Sequence, residues 1–163
     1  VSLHLRPAVG DDVPALVALA RESWLSAFAG TAPESLIAAW RTADREPEWY
    51  RRYWPAMTVA ERDGALVGLV QPKDAEVNGL WVRPDAQARG VGSTLLAHAE
   101  RQIAATGHAT AWLTCSGYNT RALGFYAARG YGEVRRSGRL LFDGSIEEII
   151  VLERAISSEM PSG

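Results

Sequence analysis

Only one cysteine, Cys115, stands in the 163 residues, which excludes an intrachain disulfide. Its place at the end of the apolar run Ala111-Trp112-Leu113-Thr114-Cys115 suits a buried small hydrophobe. No histidine accompanies it with the spacing of an activating base. His4, His98 and His108 are scattered, and without ligand spacing no metal site is expected. No run of about 18 apolar residues occurs, so no transmembrane helix is expected. The start, Val1-Ser2-Leu3-His4, lacks the basic and apolar stretches of a signal peptide, which predicts a cytoplasmic chain. Neither a Pro/Gly/Ser-rich linker nor a long charge run divides the sequence. One domain over residues 1–156 is expected, with a frayed tail at 157–163. Positive charge is also not in excess: the formal net charge is −2. Nucleic acid and membrane surfaces are therefore not expected partners.

What is present alternates between helical and strand-like patterns. Leu3 to Arg6 predicts an opening strand, and Asp11 or Asp12 can cap a helix with Val13, Leu16, Val17 and Ala20 on its apolar side, running toward Phe28. Leu36, Ile37 and Trp40 mark a second helix from Pro33. The following stretch, EWYRRYWPAM, fits helix or loop equally. Thr58 to Arg62 and Leu66 to Gln71 predict strands around the turn dipeptide Asp63-Gly64, with Pro72 ending the second. A third strand, Glu76 to Val82, leads to a helix carrying Val91, Leu95, Leu96, Ala99 and Ile103, stopped by Gly107. Ala109 to Cys115 is another strand. Asn119 can cap a short helix containing Leu123, Phe125 and Tyr126, and Gly130 sits where a left-handed residue closes it. Leu140 to Phe142 and Ile146 to Leu152 flank Asp143-Gly144 as a closing hairpin. This order implies an α/β mixture with largely antiparallel pairing.

The most informative segment is VRPDAQARGVGSTLL, from Val82 to Leu96, a glycine-bracketed turn between strand and helix. Gly90 and Gly92 clear space for close approach of an anion, and the first helical turn offers N–H groups without intrahelical partners. A Walker A loop requires a lysine followed by Ser or Thr, but here Gly92 is followed directly by Ser93. A dinucleotide fingerprint requires a third glycine, and Leu95 occupies that place.

The remaining pattern, Gln87-Ala88-Arg89-Gly90-Val91-Gly92, resembles the acetyl-CoA pyrophosphate motif of the GCN5-related N-acetyltransferase (GNAT) family. Gly79-Leu80-Trp81-Val82-Arg83-Pro84 resembles that family's central strand and its exit. The segment NTRALGFYAARGY, Asn119 to Tyr131, resembles its Asn-x-x-Ala-x-x-Phe-Tyr-x-x-x-Gly-Phe segment, with Tyr131 in the last place. The resemblance implies an α/β (α+β) fold: a mixed, mostly antiparallel twisted sheet of about seven strands, splayed at the centre and flanked by about four helices.

It also implies acetyl transfer from acetyl-CoA to the primary amine of a small molecule or peptide, by direct transfer through a ternary complex. The pantetheine arm would bond to backbone groups of Leu80 and Val82, with Trp81 between them. The pyrophosphate would rest on amides from Gln87 to Ser93, with Arg89 as a charge partner. Asn119 would cap its helix and touch the arm. Tyr126 would protonate the departing thiolate, since a phenol donates without prior charge. Glu76 is the candidate base: by period-two alternation it and Asn78 share a face with Leu80 and Val82, and Glu61 is a second option. Alternation also turns at most one of Glu147 and Glu148 inward, and a solvated face is expected for them. Trp24, Trp40, Trp49, Tyr50, Tyr53 and Trp54 could line an acceptor pocket, cover a cation, bury a homodimer interface or pack the core; core plus pocket wall is the expectation. A non-catalytic acyl-CoA sensor on the same scaffold and a nucleotide-binding module are the competing readings.

Overall fold

The computed structural model describes residues 2–141 and 143–156. The proposed tail at 157–163 and Phe142 of the expected hairpin lie outside them. The described residues build β1 (His4–Pro7), α1 (Val13–Phe28), α2 (Glu34–Ala43), α3 (Glu46–Tyr53), β2 (Thr58–Arg62), β3 (Ala65–Lys73), β4 (Glu76–Val82), α4 (Val91–Ala105), β5 (Thr110–Ser116), α5 (Thr120–Ala128), β6 (Gly132–Leu140) and β7 (Ile146–Ala155). The strands form one seven-stranded sheet in the order β1-β2-β3-β4-β5-β7-β6. Every pairing is antiparallel except β4 with β5. No helix among the described residues is long and apolar enough to cross a membrane.

Two apolar clusters hold the layers together. On one face α4 buries Val91, Leu95, Leu96, Ala99 and Ile103 against Val70, Val77, Ala111, Leu113, Ile150 and Leu152. On the other, Leu16, Val17, Leu19 and Ala20 of α1 and Tyr50 of α3 pack on Val59 and Leu69. Five α-helices are present among the described residues. The additional one is α3, inside the stretch that reads equally as helix or loop. Pro47 enters at its first turn, Glu46 and Glu48 lie at its N-terminus, and Arg51 and Arg52 lie at its C-terminus, an order that complements the helix dipole.

Several local expectations are corrected. Asp12 does not cap α1 with its side chain. Its carboxylate instead accepts from the Val9 amide at 2.8 Å and from the Arg6 guanidinium at 2.8 and 2.9 Å. Pro72 does not end β3, because β2 reaches only as far as Thr58 opposite Val70, so past that point a proline forfeits no bond on the β2 side. β6 begins at Gly132, eight residues ahead of the expected strand start at Leu140; all its residues are exposed, so no alternation marks it.

The Arg6–Asp12–Glu61 cluster ties β1, β2 and the entry to α1 together, with Glu61 held by Arg6 at 2.6 Å. Hydrogen bonds from Arg6, helped by the Val9 amide and opposed by burial, hold the Asp12 carboxyl below its ordinary range. A depressed folded-state pKa contributes stability that is present above the unfolded value, about 3.9, and is lost as pH falls through the folded one. Asp12→Ala is therefore expected to lower the unfolding free energy by about 1–3 kcal/mol at neutral pH. In urea titrations the gap between variant and parent should shrink below about pH 4. A gap independent of pH would remove the ion pair from the explanation.

Candidate active site

β4 and β5 meet at a single bridge, Glu76 opposite Trp112, reinforced by the Trp112 amide donating to the Ala75 carbonyl at 3.0 Å. Beyond that point no further β4–β5 pair forms, and among the described residues no other strand lies beside that edge of β4. The Arg83 amide donates to the Val67 carbonyl at 2.8 Å. By the alternation of an antiparallel ladder, Gly79, Trp81 and Arg83 thus turn their backbone groups to β3, while Leu80 and Val82 turn theirs into the gap. The Val82 carbonyl is already engaged, by Ser23 Oγ at 3.0 Å and Gln87 Nε2 at 3.1 Å. Both backbone groups of Leu80 and the N–H of Val82 remain to face the opening.

A cavity of about 490 Å³ fills the wide end of the gap. β4 contributes Leu80, Trp81 and Val82, and the following turn and helix contribute Gln87, Ala88, Gly90, Gly92 and Ser93. Asn119 and Tyr126 line it from the α5 side. Of the site residues singled out in the sequence, Arg89, Val91, Glu76, Asn78 and the second base option Glu61 are not on this wall. Val91 is in the core, 1% exposed, and Arg89 is exposed on the turn. The sequence reading missed Ser23 and Ala27 of α1, Arg121 and Ala122 of α5, and Arg129, which caps the C-terminus of α5. Their spacing carries a signal, since Ala122, Phe125, Tyr126 and Arg129 fall at i, i+3, i+4 and i+7 on one helical face.

The turn itself is conformationally unusual. Ala88 and Gly90 both have positive φ, 61° and 83°. Left-handed residues flanking Arg89 gather successive N–H groups into an anion-binding concavity. The first helical bond of α4 runs from the Thr94 amide to the Gly90 carbonyl at 3.1 Å, so the amides of Val91, Gly92 and Ser93 are not consumed by the helix. Gly92 has a further reason to be glycine: a Cβ there would lie 3.1 Å from the Phe125 ring. Its lack of a side chain seats α5 against α4 as much as it clears the turn. Arg121 hydrogen-bonds Gln87 across the mouth of the gap. Arg129 covers the Phe125 ring at 3.8 Å and donates to the Phe125 carbonyl at 2.9 Å.

Asn119 caps α5, its Oδ1 accepting from the Ala122 amide at 3.2 Å. Tyr126 is 8% exposed, its ring edge-on to Phe125 and Tyr131. No described residue hydrogen-bonds its hydroxyl, and the residue is part of the cavity wall. Burial, with a smaller contribution from Cys115, pushes the phenol above its ordinary pKa and keeps it protonated. Burial also pushes the Cys115 thiol up to about 11, as expected of a packed rather than reactive cysteine.

Glu76 is not on the face that simple alternation assigns. The β3–β4 register runs Gln71 to Gly79 and then Pro72 to Val77, skipping Asn78. This bulge reverses the parity of β4, so Val77 joins Leu80 and Val82 in the α4 cluster while Glu76 shares the opposite face with Gly79 and Trp81. Burial raises the Glu76 pKa, against a smaller lowering by Lys73.

Glu147 and Glu148 divide as alternation requires, but Glu147 is buried, 3% exposed, not solvated. Ser116 Oγ donates to it at 2.8 Å, and Arg139 pairs with it from directly across the hairpin. Glu148 faces outward to Arg136 at 2.7 Å. The aromatic group packs the helices: Trp24 stacks between Phe28 and Trp40 at 4.4 and 4.1 Å, and Trp49 lies against Tyr53. Among these aromatics none lines the cavity.

Comparison with known proteins places this geometry. The model of the acetyltransferase (GNAT) family matches residues 16–131. Spermidine N(1)-acetyltransferase of Thermoplasma acidophilum is 26% identical over 143 residues, covering 80% of this chain and 89% of that protein. The ribosomal protein bS18-alanine N-acetyltransferase of Escherichia coli is 32% identical over 80 residues, 48% of this chain and 54% of its own. Among solved structures, a GCN5-related N-acetyltransferase from Rhodopseudomonas palustris superposes with a TM-score of 0.81 at 25% identity, covering 96% of this chain and 97% of its own. PaiA N-acetyltransferase from Thermoplasma acidophilum, solved with coenzyme A, gives 0.77 at 23% identity, covering 95% and 99%.

Proposed function

The chain belongs to the acetyltransferase (GNAT) family, and on that premise we propose that it moves an acetyl group from acetyl-CoA directly to a primary amine of a small molecule or peptide. The observation that carries this reading is the unpaired edge of β4 ending at a turn with left-handed Ala88 and Gly90. An amide-rich arm recognised through main-chain groups needs such an edge, and a pyrophosphate needs such a turn. Acetyl-CoA, when bound, supplies an activated thioester. Leu80 and Val82 would hold the arm by backbone hydrogen bonds, and the pyrophosphate would rest on amides from Ala88 to Ser93, since the Gln87 amide already donates to the Pro84 carbonyl. Arg121 is a charge partner at the mouth, in the role the sequence reading gave to Arg89.

In the transfer, the amine nitrogen forms a bond to the acyl carbon and the carbon–sulfur bond breaks. The proton on the Tyr126 hydroxyl passes to the departing sulfur, and the amine gives up a proton to Glu76 through water. Positioning supplies much of the acceleration, because both reactants are held in one cleft. The substrates for which these two relatives are named, spermidine and an alanine of a ribosomal protein, both present amines. The test is thiol release from acetyl-CoA over a panel of polyamines, amino acids, aminoglycosides and peptides. At least one amine should yield thiol together with its N-acetyl derivative. Tight acetyl-CoA binding with no turnover on any amine would favour a sensor instead.

The raised Glu76 pKa has a sign that kinetics can read. A base must be ionised, so activity should fall with decreasing pH at a value above the ordinary carboxylate range of about 4.3. In Glu76→Gln this acidic limb should vanish along with roughly a tenfold to hundredfold loss of kcat/KM. An unchanged limb in the variant would assign the base elsewhere.

A further inference from the structure

The sheet face beneath α1 carries a polar side chain that the fold does not use. Gln71 of β3 is 3% exposed, yet its carboxamide makes no hydrogen bond to any described residue. Its head group is not sealed either, for among the described residues only Arg62 Nε is a fully enclosed side-chain polar atom without a partner. An amide that has neither a partner nor complete enclosure borders open space. Native structures seldom keep such a group buried unless something else satisfies it.

The open space has a location. Gln71 lies opposite Gly79 of β4. A Cβ placed on Gly79 would meet only the Gln71 Cβ, at 3.9 Å. Gly79 therefore leaves a slot beside the Gln71 side chain, on the face that the Asn78 bulge also gives to Glu76. The next residue along β4 is Leu80, whose backbone groups open into the gap. A buried amide, a vacant side-chain position and a carboxylate are thus brought together on the side of β4 away from the α4 cluster.

We propose that this slot receives the nucleophile: the primary amine of the acceptor stands over Gly79 and donates an N–H to the Gln71 carboxamide oxygen. Its lone pair then faces the acyl group held beside Leu80. This rests on the acetyl-transfer reading above and adds an acceptor-positioning residue to it. A neutral amide suits the task, because it accepts from an amine without stabilising the unreactive ammonium form as a carboxylate would.

Two variants separate this from a structural role, assayed with the best amine from the thiol-release panel. Gln71→Leu keeps the volume and removes the unpaired amide. It should raise the acceptor KM roughly tenfold, the worth of one hydrogen bond, with the acetyl-CoA Kd within about twofold of the parent. Its Tm should rise by a few degrees, since a buried unpaired group is exchanged for an apolar one. Gly79→Ala puts a methyl into the slot with only an ordinary contact, and it should raise the acceptor KM while leaving Tm and acetyl-CoA binding unchanged. Wild-type acceptor KM in both variants would overturn the placement of the amine. So would a Gln71→Leu variant whose Tm falls and whose kinetics merely follow the folded fraction. Parent protein that turns over no amine at all would instead defeat the acetyl-transfer reading itself.

Discussion

Replacing Tyr126 by phenylalanine is expected to lower kcat roughly a hundredfold while leaving the acetyl-CoA Kd within about twofold of the parent. The reasoning starts from what the hydroxyl does not do. It hydrogen-bonds no described residue, so its removal forfeits no internal bond, and the ring keeps its edge contacts with Phe125 and Tyr131. The variant should fold with parental stability. What it loses is a buried, protonated phenol at the wall of the cavity, whose pKa is raised by enclosure. A thiolate leaving into that enclosure without a proton donor is a poor leaving group. The loss should therefore fall on the chemical step and not on binding. Isothermal titration with acetyl-CoA and steady-state thiol release, run on the same preparation, separate the two. Unchanged turnover would remove Tyr126 from the proton path.

The second large effect concerns binding. Gly90→Val should weaken acetyl-CoA roughly a hundredfold, equivalent to about 2.7 kcal/mol, with little change in acceptor specificity. Gly90 has φ of 83° and is the N-cap of α4. A β-branched residue is strained there by about 1–3 kcal/mol, so the turn relaxes to a negative φ and its amides no longer converge. Space is not the cause, because a Cβ at Gly90 would meet nothing within 4 Å. Gly92→Ala has the opposite character: its backbone is unstrained, but its Cβ presses on Phe125 at 3.1 Å. It should cost stability before it costs affinity. Parental acetyl-CoA affinity in a folded Gly90→Val protein would show that the turn does not hold the pyrophosphate.

The parts legible in the sequence are those where one residue type answers a local backbone demand. Gly90, Gly107 and Gly130 occupy left-handed positions, and Asn119 caps α5 through its own side chain. β2 and β4 run between the residues their patterns indicate. The illegible parts depend on what lies across space. The Asn78 bulge shows only in pairing with β3, and it moves Glu76 to the opposite face from the one that counting by twos assigns. Glu147 is inward because Ser116 and Arg139 satisfy its carboxylate, neither of which adjoins it in sequence. β6, exposed along its whole length, has no alternation to read. α3 is short and polar, and it forms because Tyr50 finds a place against α1. Gln71 reads as an ordinary strand residue until Gly79 is seen beside it.

The central claim, direct transfer from acetyl-CoA to an amine in one cleft, is tested most directly by a single-turnover reaction. Enzyme, acetyl-CoA and the best acceptor are mixed, and mass spectrometry follows the free thiol, the N-acetyl amine and the intact protein together. Direct transfer predicts thiol and N-acetyl amine rising in equal amounts with the protein mass unchanged; burial keeps the Cys115 thiol protonated and thus a poor nucleophile. Thiol released without an acetylated amine, or an acetyl group appearing on the protein before it reaches the amine, would contradict the account.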